Sequence, residues 1–169
     1  MSTEALLAEV LEREEASDGV VAESERQEAE LWALRESITE AESKQGRSVK
    51  HDVSVPIPEI PAFLAAADLA VERQFPGTRV NAFGHVGDGN IHYNLIVPGG
   101  TDSSAVNAVV HDLVMAHGGS ISAEHGVGQY RVAELLRCKS PDEIALASRI
   151  KRALDPANTL NPGKVLPLP

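Results

Sequence analysis

The stretch from Val80 to Val97 constrains the fold of this chain more than any other, because its residues alternate in character about a central Asp88-Gly89 pair. Asp-Gly between two alternating runs signals a two-residue β-hairpin loop. Such a loop sets Gly87 opposite Asn90, Val86 opposite Ile91 and His85 opposite His92. Side chains of a strand point alternately to its two faces. One face then carries Val80, Ala82, Gly84, Val86, Ile91, Tyr93, Leu95 and Val97, and the other Asn81, Phe83, His85, Asn90, His92, Asn94 and Ile96. The first set packs on a core and the second lines a cleft. Directly opposed residues have Cβ atoms roughly 5 Å apart, close enough for two imidazoles to meet one ion. The competing reading, two core histidines, needs a slip of one residue. The polar neighbours of the pair argue against it.

With 169 residues the chain can form one domain with a sizeable core, and it is too short for two large ones. Charge is uneven: residues 1–45 hold 13 acidic against 4 basic side chains, while the remainder is nearly balanced. An acidic helical segment argues against nucleic acid, whose affinity comes mainly from basic side chains on phosphates. The first fifteen residues are acidic and lack the basic start and apolar block of a secretory signal, and no apolar run is long enough to span a bilayer. A cytoplasmic protein without a membrane span is the expectation. The single cysteine, Cys138, excludes an internal disulfide and a thiolate zinc cluster.

Apolar spacing predicts helices over 2–15 and over about 24–43, both within an acidic helical segment of residues 1–46. Lys50 to Val55 alternates as a short strand that stops at Pro56. Pro58 or Pro61 opens a helix to about Arg73, with Phe63, Leu64, Ala67 and Val71 as its buried stripe. The hairpin follows. Thr101 or Asp102 caps a helix carrying Val106, Val109, Val110, Leu113 and Val114, and Ser120-Ile121-Ser122-Ala123 reads as a final strand. Strand, helix, strand, strand, helix, strand is the order of the split β-α-β unit of ferredoxin-like folds. The expected class is α+β, with a mostly antiparallel sheet, a core over 47–128, and further helices at about 129–137 and 141–153 in a terminal segment 129–169.

A second polar cluster follows the last strand: Ser122-Ala123-Glu124-His125-Gly126-Val127-Gly128. Glu124 offers an oxygen ligand, and His125 either a ligand or a proton acceptor. Two histidines and one carboxylate with an open position form the donor set of a catalytic zinc centre.

The runs Gly84 to His92, Ser120 to Gly128 and Leu154 to Lys164, in that order, resemble the C-terminal domain of FAD-linked oxidases, which include D-lactate dehydrogenases, the flavin subunit of glycolate oxidase and D-2-hydroxyglutarate dehydrogenase. The likeness extends over almost the whole chain and is nearest to the last of these branches. It implies that His85, His92 and Glu124 hold a divalent ion, usually zinc, that engages a 2-hydroxy acid. It implies further that Arg35, Thr39 and Lys50 hold the substrate's carboxylates, that Asn94 and His125 complete the pocket, and that His125 accepts the hydroxyl proton while hydride passes to FAD. A second carboxylate-binding group favours a dicarboxylic acid. The turn containing Asn161 would approach the flavin.

Members of that family carry a larger flavin-binding domain ahead of this region, and no Gly-rich dinucleotide fingerprint replaces it here. The chain is therefore expected to need a flavin domain, in cis or in trans, and to be inactive in redox chemistry alone. A homo-oligomer is left open, because an uncovered flavin-facing surface favours self-association. Two other readings compete: a stand-alone metal-dependent hydrolase using the same three ligands, and a non-catalytic remnant domain that holds no metal.

Overall fold

Strand β4 (Asn90–Ile96) is the spine of the sheet. Strand β3 (Arg79–His85) pairs with it antiparallel on one side, and β1 (Ser48–Val49) and β2 (Asp52–Ser54) on the other. Pairing keeps one register from Ser48 opposite Ile96 to Ser54 opposite Asn90, so β1 and β2 are two halves of a single strand line. Beyond β2, Ser54 and Ser120 exchange backbone hydrogen bonds of 3.0 and 2.8 Å.

The computed structural model describes residues 2–167, which divide into two compact units at Lys44/Gln45. In the second unit, α4 (Ile60–Gln74) links β2 to β3, and α5 (Ser103–Ala116) links β4 to Ser120. Because β4 is antiparallel to both β2 and β3, those two are parallel to each other with a strand between them. That is the split β-α-β arrangement, and the α+β class follows. The two helices supply Phe63, Ala67, Val71, Val106, Val110 and Val114 to a core shared with Val53, Ile91, Tyr93 and Leu95. Helices α6 (Val132–Cys138) and α7 (Pro141–Leu154) complete the unit, with Leu135 and Cys138 packed at the margin of the core.

Local chemistry explains the helix ends. Asp102 accepts from the Ser104 amide at the start of α5, and Ser140 with Glu143 closes a capping box on α7. In the first unit, Ser2 caps α1 (Thr3–Glu12) and Ser24 caps α2 (Glu25–Glu36), while α3 spans Ile38–Ser43. The single helix expected over 24–43 is thus two. Ser37 stands at the break, where its hydroxyl donates to the Leu34 carbonyl at 2.8 Å, a side-chain bond that competes with the helical ladder. No helix among the described residues is long and apolar enough to cross a membrane.

The hairpin register also differs from expectation. His85 lies opposite Asn90, and Phe83, not His85, lies opposite His92. The loop has four residues: Val86–Asp88 form a single 3₁₀ turn, and Gly89 closes it at φ 78° with its N–H on the Val86 carbonyl. A two-residue shift leaves every side chain on its face, so the polar set stays together. Val86 leaves the apolar set, exposed at the tip, and Ala82 is exposed as well. The strand expected over 120–123 shrinks to the bridge at Ser120, since the Ser120 hydroxyl donates to the Ser122 carbonyl and bends the chain.

Gly89 is required twice over. Its φ is one that L side chains rarely adopt, and a Cβ there would stand 2.3 Å from the Val55 carbonyl oxygen. Replacing Gly89 with alanine is expected to cost about 2 kcal/mol, read as a lower midpoint in thermal unfolding. An unchanged midpoint would show that the turn relaxes freely.

Candidate functional site

Three elements bring the chemistry-bearing residues together. His85 ends β3, His92 lies near the start of β4 on the same face, and Glu124 follows the Ser120 bridge beyond β2. One ligand atom from each of His85, His92 and Glu124 falls within 4.8 Å of the other two. The His85 Nδ1 to Glu124 Oε1 distance is 3.3 Å, with side chains 51% and 43% exposed. His92 is more enclosed, its side chain 17% exposed and its ring 5.0 Å from that of Phe83. Two imidazoles and one carboxylate, opening on solvent, fit the donor set and open position of a catalytic zinc centre. The fit rests on the convergence of all three.

The residue that organises this corner is Asp52, which the sequence reading passed over. It lies opposite His92 on β2 and its side chain is only 9% exposed. Its Oδ2 accepts from the backbone N–H of Glu124 at 3.0 Å and of His125 at 2.9 Å, and lies 2.8 Å from Nδ1 of His125. Its Oδ1 accepts from the Asn90 side-chain amide at 3.0 Å. Burial pushes the Asp52 carboxyl upward, but the amides of His125, Glu124 and Asn90 outweigh it and hold the carboxyl below its ordinary value. A signal did exist: Lys50, Asp52 and Ser54 alternate as the polar face of their strand.

His125 itself is 69% exposed on its side chain, and its ring lies 6.2 Å from that of His92. Beside it, Ser54, Asp88, Asn90, Ala123 and Glu124 line a small open cleft of about 200 Å³. Asn94 shares the face of His92 and is buried, its side-chain oxygen accepting from the His51 amide at 3.3 Å. Lys50 lies exposed between β1 and β2, its carbonyl accepting from Arg131. Arg35 belongs to α2 and Thr39 to α3, both in the first unit. Asn161 sits in the turn after α7, where its carbonyl accepts from the Lys164 amide at 3.1 Å. The structure thus gathers His85, His92, Glu124 and His125 around Asp52 and Asn90, with Asn94 adjoining by register.

The family model described as FAD linked oxidases, C-terminal domain, matches residues 2–165. The chain belongs to that family. Its relatives include a D-2-hydroxyglutarate dehydrogenase of Xanthomonas citri pv. viticola, 42% identical over 88% of this chain and 33% of the relative. A mitochondrial D-2-hydroxyglutarate dehydrogenase of Arabidopsis thaliana is 41% identical over 97% of this chain and 29% of its own length. One of Stutzerimonas stutzeri is 40% identical over 88% and 33%. The chain therefore spans about a third of the length of the curated relatives it matches.

Proposed function

We propose that this chain forms the substrate- and metal-binding part of an FAD-dependent dehydrogenase that oxidises the C2 hydroxyl of a D-2-hydroxy acid to a ketone. The observation that carries the reading is the convergence of His85, His92 and Glu124 beside His125. The names of the relatives support it and favour a dicarboxylic substrate of the 2-hydroxyglutarate type. His85, His92 and Glu124 would hold a divalent cation, zinc suiting the donor set. When bound, the cation supplies Lewis-acid polarisation of the hydroxyl, and the flavin, carried mainly by a domain in cis or in trans, supplies the two-electron acceptor.

The chain's own residues bind, orient and move a proton. His125 accepts the hydroxyl proton on its exposed ring edge. Arg35, Thr39 and Lys50, by resemblance to the family, hold the carboxylates: the guanidinium as a planar fork, the ammonium as a point charge. Asn94 completes the polar wall on the face of His92, and the turn at Asn161 would, by the same resemblance, face the flavin when it is bound.

Calorimetric titration of the purified chain with zinc tests the reading. One ion per chain with micromolar or tighter affinity is expected, together with no hydrolysis of generic esters in its presence. Absence of zinc binding would remove the metal centre from the proposal, and ester turnover would favour a hydrolase instead.

A further inference from the structure

We propose that Asp52 is the positioning residue of this site: through one oxygen it fixes both the backbone that presents Glu124 and the ring orientation of His125. The inference rests on the functional reading above and assigns a role to a residue outside the ligand and substrate set. Oδ2 accepts from the Glu124 and His125 backbone amides and lies 2.8 Å from Nδ1 of His125, while Oδ1 is held by Asn90. A buried carboxylate with this many donors is pre-organised rather than pliable. Because strand register sets Asp52 directly opposite His92, the anchor for the Glu124-His125 loop is built into the sheet that carries the histidine ligand.

The consequence for His125 is a matter of tautomer. With Asp52 accepting at Nδ1, the proton sits there and Nε2 is left bare, the nitrogen on which a proton acceptor must act. Without the carboxylate nothing on the ring's inner edge selects that form. The consequence for Glu124 is positional: two consecutive amides tied to one oxygen set where its side chain departs, hence whether its Oε1 reaches within 3.3 Å of His85. Residues that orient ligands through such contacts are worth 10–100-fold in metal affinity.

The test pairs a spectroscopic readout with a binding one on the full chain. Long-range ¹H–¹⁵N correlation at about pH 8, above the ordinary histidine range, should show His125 in the Nδ1–H form in the unsubstituted protein. In Asp52→Asn that preference should be lost, and zinc affinity by calorimetry should fall 10–100-fold. An Nε2–H ring in the unsubstituted protein overturns the proposal, and so does an Asp52→Asn chain that keeps either the Nδ1–H form or unchanged zinc affinity. If Asp52→Asn does not fold, the tautomer of the unsubstituted protein decides. A chain that binds no zinc refutes the metal reading alone, because the His125 tautomer is read without any ion.

Discussion

Replacing His92 with alanine is expected to lower zinc affinity by more than 100-fold, beyond what loss of an orienting contact costs. The same change at His85 should cost less. The reason is preparation: His92 is enclosed in the middle of the site, its ring against Phe83 and its Nδ1 3.9 Å from Asp52, so little side-chain freedom remains to be lost on binding. His85 is half exposed at the end of a strand, next to the turn, and would have to be ordered by the ion of the proposed centre. Titration of the two variants by calorimetry, with circular dichroism to confirm the fold, gives the ranking. Equal losses, or a larger one at His85, would mean that the enclosure of His92 contributes nothing to affinity.

Acid should destabilise the second unit well before its carboxylates titrate. His51 and His111 are both fully buried, their rings 5.5 Å apart and nearly perpendicular, one on the strand line of β1 and β2 and the other on α5. Burial pushes His51 down to about 4, the neighbouring His111 and Arg131 add to this, and the Tyr93 carbonyl and Asn107 oppose it less strongly. His111 is lowered in the same direction, again by burial, against the pull of Glu134 at 2.7 Å. The unfolded chain, with ordinary histidines near 6.5, binds more protons than the folded one between about pH 6.5 and 4. Stability therefore rises with pH across that window and is lost on acidification through it, by up to about 3 kcal/mol for His51. That is a large share of the 5–15 kcal/mol typical of a domain.

Lower still, a different group takes over. Glu134 is held down to about 2, first by Arg137 and then by His111, and its contribution is lost only as pH falls below the ordinary glutamate range. Denaturant unfolding between pH 7 and 4 separates the two. His51→Asn, which keeps a donor near Nδ1 but cannot take up the proton, should flatten the curve above pH 4. A curve as steep as that of the unsubstituted protein would assign the acid sensitivity elsewhere.

Much of the fold was legible because its signals are local or depend only on parity. Alternation in Val80–Val97 assigned the faces correctly even though the loop was read two residues too short, since a shift of two preserves facing. The turn length was hidden because Gly89 is chosen by the approach of Val55, a contact across the sheet. The break at Ser37 depends on one hydroxyl's choice of partner, which no apolar periodicity records. His111 lies in the apolar stripe of α5 but carries no apolar signal, so its burial beside Glu134 was invisible. Of the site, the two histidines, Glu124 and His125 stood out by their spacing. Asp52 did not, because its partners lie 38 to 73 positions away and become neighbours only once β2 has paired with β4 and Ser54 with Ser120.

That separation has a consequence for how the protein comes into being. Non-local pairings must close long loops before they are rewarded, and here the corner is complete only when the residue following Glu124 has been made and docked. A nascent chain halted before Glu124 would hold both imidazoles but lack the acid, so the three donors can meet only after that residue has been made and its loop has docked on Asp52.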